Sequence, residues 1–218
     1  MEERMVKVFA NQNSKIALKV YHGHYATPHS HISHYFDMTT LKTRTSEAHA
    51  VAHELAKKYA NNTIVDTIIT LDGTEVIGAY LAEELTEAGI MCMNAHKAIY
   101  VISPEFNNQG NVIFRDNVKP MLKDKHILVL VGTATTGGSL LTCMDALSYY
   151  GGIPAGVCSV FSAISKIMGI EVNAVFTQKD LPEYHSYTSR DCPCCKKGEP
   201  IDAIVNGFGY SRLGRRES

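Results

Sequence analysis

Ile127-Leu128-Val129-Leu130-Val131-Gly132-Thr133-Ala134-Thr135-Thr136-Gly137-Gly138-Ser139 is the stretch that decides the fold. Its five consecutive aliphatic residues read as a strand covered on both faces, as in a parallel sheet. The helix that follows carries Leu140, Met144 and Leu147 on one face and is stopped by Gly151-Gly152. In α/β folds the loop between such a strand and helix is where ligands bind. Gly137 and Gly138 let the backbone turn sharply and approach a ligand closely. Thr133, Thr135, Thr136 and Ser139 supply hydroxyls, and the helix start adds free N–H groups at a positive dipole end. Together these features describe a cradle for a phosphate group. The plain alternative is a connector whose hydroxyls cap the helix, but one cap needs one hydroxyl and the loop offers four.

Upstream, Ala48, Val51, Ala52, Leu55, Ala56 and Tyr59 have helical spacing, with Ser46 as a cap and Glu47 in the first turn. Ile64 to Leu71 reads as a buried strand, followed by a turn at Asp72-Gly73-Thr74. A helix then carries Ile77, Tyr80, Leu81 and Leu85 and ends near Gly89. Lys97 to Ile102 reads as another strand. Pro104 to Asn111 is a polar stretch, and Val112-Ile113-Phe114 a short apolar run. Downstream, Ala155 to Phe161 and Ile170 to Phe176 read as strands. This β-α-β-α-β order predicts an α/β fold, a mostly parallel twisted sheet flanked by helices.

A length of 218 residues suits one domain, 1–218. The 21 basic and 22 acidic side chains nearly cancel, which excludes a dedicated nucleic-acid or membrane-surface binder. No apolar run is long enough to span a bilayer. Met1 to Met5 lacks the apolar core of a secretory leader, so the expected location is cytoplasmic. There the six cysteines are expected as reduced thiols or metal ligands.

Two families use such a loop. Gly132, Gly137 and Ser139 fit the P-loop pattern of nucleotide triphosphatases, but Gly138 stands where its lysine belongs, leaving nothing to reach the β/γ-phosphates. The segment Ile127 to Phe161 instead resembles the type I phosphoribosyltransferase signature, and the orotate phosphoribosyltransferases look most similar. His31-Ile32-Ser33-His34-Tyr35-Phe36-Asp37 is similar to their early H-S-x-x-Y-x-D segment. Val65-Asp66-Thr67-Ile68-Ile69 with Asp72-Gly73-Thr74 resembles their V-D-x-I strand and pyrophosphate loop.

The resemblance implies a type I phosphoribosyltransferase-like fold with residues 1–45 forming a hood over the strand ends, and a homodimer. It implies a 5′-phosphate site at Thr133, Ala134, Thr135, Thr136, Gly137, Gly138 and Ser139, with Asp72, Gly73 and Thr74 on the pyrophosphate side. The ligand would be phosphoribosyl pyrophosphate (PRPP) or a nucleoside monophosphate. A catalytic member would transfer phosphoribose with Mg²⁺ to a base such as orotate, in pyrimidine metabolism.

Two departures oppose catalysis and favour a second reading, a nucleotide-sensing or partner-binding protein on the same fold. The acidic pair that binds the ribose hydroxyls in the family is Val131 and Gly132 here. A charged acceptor on a hydroxyl is worth about 1.5–3 kcal/mol, so the loss is large. The mobile catalytic loop, Ser103 to Gly110, has a Glu and no Lys or Arg. Arg115 and Lys119 follow it as potential substitutes, and His29 or Ser30 stands where the family has a basic residue near the base.

His22, His24, His29, His31 and His34 cluster early in the chain. The i, i+2 pairs His22/His24 and His29/His31 would share a strand face and suit a metal, or the segment is a polar loop at the site mouth. Late in the chain, Cys192-Pro193-Cys194-Cys195 contains a C-x-x-C. A zinc ion needs four ligands, and Cys194 and His185 would complete the set locally. An inert thiol-rich turn is the alternative. Cys92, Cys143 and Cys158 read as core residues.

Overall fold

The computed structural model describes residues 4–87, 93–95 and 98–213. In chain order its elements are β1 (Met5–Ala10), β2 (Asn13–Ala26), β3 (His31–Asp37), α1 (Thr39–Thr43), α2 (Thr45–Ala56), β4 (Thr67–Thr70) and α3 (Glu75–Glu87). There follow β5 (Tyr100–Ile102), β6 (Glu105–Phe106), β7 (Val112–Ile113), β8 (His126–Ala134), α4 (Gly138–Tyr149) and β9 (Ile153–Ser162). The last are β10 (Lys166–Ile167), β11 (Ile170–Thr177), β12 (Ser186–Tyr187), α5 (Pro193–Lys196), β13 (Ala203–Asn206) and β14 (Gly209–Arg212).

The central sheet runs β10-β11-β9-β8-β4-β5, parallel throughout except for the antiparallel β10 edge. The aliphatic run of β8 explains this placement, because alternate residues serve opposite cores. Leu128 and Leu130 pack with α2, α3 and the first sheet segment, whereas Ile127, Val129 and Val131 pack with Leu140, Cys143, Met144 and Leu147 of α4. Burying both faces is what requires an uninterrupted apolar strand.

The expected hood is a second sheet, ordered β12-β3-β2-β13-β14 with β1 beside β2. Ile16, Leu18 and Val20 alternate inward along β2 and are buried. Phe36 joins the two sheets, its ring centroid 4.3 Å from that of Phe161 and 5.1 Å from that of Tyr184.

Several boundaries differ from the sequence reading. Ser46 does not cap α2: Arg44 occupies the N-cap and pairs with Glu47 at 3.0 Å, so the helix starts two residues earlier. The strand read from Ile64 is ladder-paired only over Thr67–Thr70. The expected strand onset at Lys97, the helix stop at Gly89 and the core position of Cys92 lie outside the described residues. Cys143 and Cys158 are fully buried, as expected. No helix among the described residues is long and apolar enough to cross a membrane.

Candidate functional site

The phosphate-type loop leaves β8 at Ala134, whose carbonyl is held by the N–H of Ala163 at 2.9 Å. Gly137 then turns the chain with φ +79° and serves as the N-cap of α4, with no side-chain cap hydrogen bond. None of the loop's hydroxyls therefore serves as the cap of α4. Gly137 is required twice: its φ lies in the left-handed region, and a Cβ would meet Ile164 Cδ1 at 3.1 Å and Ile167 Cδ1 at 3.2 Å. The first N–H groups of α4 have no intrahelical acceptor. They open on a cavity of about 300 Å³ lined by Thr133 to Leu140, by the hood turn Thr27 to Ser30, and by Asn206, Gly207 and Phe208.

The opposite wall is the Asp72-Gly73-Thr74 turn, with φ +57° at Asp72 and +74° at Gly73. Thr74 faces away from the cavity; it is fully buried and donates to Leu71 O at 2.8 Å. Asp72 accepts hydrogen bonds from the N–H groups of Thr133 and Gly132, and burial pushes its carboxyl above the usual range against the pull of Lys42. Buried Lys42 donates from Nζ to Asp72 O and Gly207 O, both at 2.6 Å. Burial lowers its pKa, and Asp72 opposes that shift. The tip of the β13–β14 hairpin lies against this turn, and Phe208 covers Gly73.

This arrangement explains the missing acidic pair. Val131 is fully buried in the α4-side core, where a carboxylate would be stranded without a partner. A Cβ at Gly132 would lie 3.0 Å from both Cε and Nζ of Lys42. Asp72 is the one carboxylate lining the cavity among the described residues, and its oxygens already accept two backbone N–H groups. The protein thus builds no Mg²⁺ cage of its own, and an ion there would be held mainly by the phosphates of a bound ligand.

The loop after β5 supplies no cation either. Arg115 is tied to Glu105 by bonds of 2.6, 3.0 and 3.1 Å across the β6–β7 hairpin, and Lys119 pairs with Asp116 at 2.6 Å. That hairpin contributes Phe106 to the cavity instead. His29 and Ser30 also line it, as their position near the expected base site suggests.

The histidines do not divide by i, i+2 pairs. A register shift between His22 and Tyr25 breaks the strand alternation, so His22 meets the ring of His34 and His24 meets that of His31 across the β2–β3 hairpin. The metal set expected at the C-terminal cysteines is corrected accordingly. Cys192 and Cys195 group with His24 and His31, not with Cys194 and His185. The single turn of α5 puts residues three apart on one face, which carries Cys194 away toward Glu199. His185 is held beside Ser33 by backbone contacts of 2.8 and 3.0 Å, its ring against Tyr187.

Lys42, Phe106 and the Asn206–Phe208 tip escaped the sequence reading. Lys42 gives no local signal, being one lysine on a short polar helix. The hairpin had one: Asn206-Gly207 between alternating residues is a turn signature.

No protein-family model matches the chain. The architecture is shared with solved phosphoribosyltransferase structures. UMP synthase of Leishmania donovani superposes with a TM-score of 0.54 at 16% identity, over 83% of this chain and 36% of that one. Adenine phosphoribosyltransferase of Thermoanaerobacter pseudethanolicus gives 0.51 at 13% identity, over 81% and 96%. The fold is that of the type I phosphoribosyltransferases.

The sequence is similar to curated orotate phosphoribosyltransferases. That of Chlorobaculum parvum is 27% identical over 186 residues, covering 83% of this chain and 86% of the relative. That of Pelotomaculum thermopropionicum is 24% identical over 181 residues, covering 82% and 86%.

Proposed function

We propose that the chain binds the 5′-phosphate of a nucleoside monophosphate at Thr133 to Ser139, and that it has lost the family's way of holding PRPP. One observation carries this reading: the phosphate loop opens on a cavity of about 300 Å³, while on the Asp72-Gly73 side Lys42, tied to Asp72 O and Gly207 O, and the hairpin tip narrow the space to about 170 Å³. Free helix N–H groups and hydroxyls suit one terminal phosphate. Phe106 and Phe208, 51% and 82% exposed, offer flat apolar faces at the rim for a base.

Calorimetric titration with UMP, and with PRPP in the presence and absence of Mg²⁺, tests it. UMP should bind without Mg²⁺, and Thr136→Val should weaken it about 10- to 100-fold, the worth of one hydroxyl donor on a charged oxygen. Mg²⁺-dependent PRPP binding tighter than that of UMP would refute the proposal.

The kinship with orotate phosphoribosyltransferases favours a second reading, phosphoribosyl transfer from PRPP to a base such as orotate. Its signature is pyrophosphate release that requires PRPP, Mg²⁺ and the base together.

A further inference from the structure

His24, His31, Cys192 and Cys195 bring their four ligand atoms within 4.8 Å of one another, away from the cavity. We infer that these residues form a structural zinc site that staples the hood to the C-terminal segment.

The geometry is that of a tetrahedron awaiting its centre. Zinc bonds of about 2.3 Å to sulfur and about 2.05 Å to nitrogen give tetrahedral edges of about 3.3 Å for N–N and about 3.6 Å for S–N. Here His24 Nε2 lies 3.1 Å from His31 Nδ1, 3.4 Å from Cys192 Sγ and 3.6 Å from Cys195 Sγ. His31 Nδ1 lies 3.2 Å from Cys195 Sγ. These four of the six edges come within a few tenths of an ångström of the ideal figure, and the other two lie within 4.8 Å.

The outer shell is also built. His24 Nδ1 faces the carbonyls of Glu199 and Pro200 at 3.1 and 3.2 Å. It must donate there, which leaves Nε2 with a bare lone pair aimed at the other three ligands. His24 and Cys192 are 5% and 2% exposed. Two thiolates and two imidazoles with no carboxylate select zinc over Mg²⁺ or Ca²⁺. Four protein ligands leave no open position, so the ion's role is structural.

What it joins explains its use. His24 and His31 flank the Thr27–Ser30 turn that lines one wall of the cavity. Cys192 and Cys195 precede β13–β14, whose tip forms another. In the same seam His24 N–H donates to Asp202 Oδ2 at 3.0 Å, and Asp202 N–H returns to His24 O at 2.7 Å.

The test is metal analysis of the full chain, expressed with zinc and purified without a histidine tag. About one zinc per chain is expected. The cobalt-substituted protein should show the intense visible bands of a tetrahedral site with a near-ultraviolet thiolate charge-transfer band. Cys195→Ser and His31→Gln should lose the zinc, whereas Cys194→Ser and His185→Ala should keep it. Folded wild-type protein with less than about half an equivalent and no cobalt uptake overturns the proposal. So does full zinc content in Cys195→Ser, or a Cys192–Cys195 disulfide found by mass and thiol titration. Should the ligand variants fail to fold, the wild-type cobalt spectrum decides: no thiolate band, no site.

Discussion

Replacing Gly207 by alanine tests whether the C-terminal hairpin is seated on the site. An added Cβ would lie 2.5 Å from Asp72 Oδ1, 2.6 Å from its Cγ and 2.7 Å from its Cβ. Asp72 cannot yield, because its carboxylate accepts the N–H groups of Gly132 and Thr133 and its carbonyl accepts Lys42 Nζ at 2.6 Å. The hairpin tip must therefore withdraw by roughly 1 Å to restore ordinary contact. That stretches the Lys42–Gly207 bond from 2.6 Å beyond hydrogen-bonding range. Overpacking of this kind costs about 1–3 kcal/mol. At about 2–4 °C per kcal/mol for a chain of this size, Tm should fall by roughly 2–12 °C. Calorimetric melting measures the shift, and hydrogen exchange should rise in peptides covering residues 203–212. A Tm within about 1 °C of wild type, with unchanged exchange there, refutes the packing described for the tip.

Gly137→Ala should cost about 1–2 kcal/mol from its left-handed φ alone, and more from Ile164 and Ile167; it should also weaken UMP binding by re-aiming the loop, both readable by melting and calorimetry. Arg115→Ala should leave melting and UMP binding unchanged, because its partner is exposed Glu105 and neither residue lines the cavity; lost binding would place that cation in the site. His34 has its pKa lowered by burial first and by His22 next, with His185 adding to the shift and Glu183 opposing it. The unfolded chain then takes up this proton at higher pH than the folded one, so stability is full above about pH 6.5 and is lost as pH falls toward the folded pKa. His34→Gln should flatten that limb of a Tm-against-pH curve, and an unchanged slope would assign the acid sensitivity elsewhere.

The central sheet was legible because burial on both faces writes a continuous aliphatic run, as in Ile127 to Val131. The sharp strand-to-helix turn at Gly137 was legible because paired glycines mark a backbone that must adopt a left-handed φ. The hood sheet was not. Its β2 pairs with β13 about 180 residues away, and no local periodicity encodes that partner. The metal-type cluster was half legible: each of its halves, the histidines and the C-x-x-C, stood out alone. A strand bulge and one turn of helix decide which members of each meet, and neither is visible in spacing. Lys42 was illegible for a different reason. Its role depends on carbonyls of Asp72 and Gly207 from two other segments.

The parallel pairing of Tyr25 with Ala203 also fixes an order of events during synthesis. The ribosome delivers Thr27 to Ser30 early and Asn206 to Phe208 late, so the central sheet can form while the edge of β2 still waits for β13. Until then that edge offers unpaired backbone groups to any passing strand. The cavity's walls are thus complete only once Asn206 to Phe208 are in place, after most of the core residues have been made.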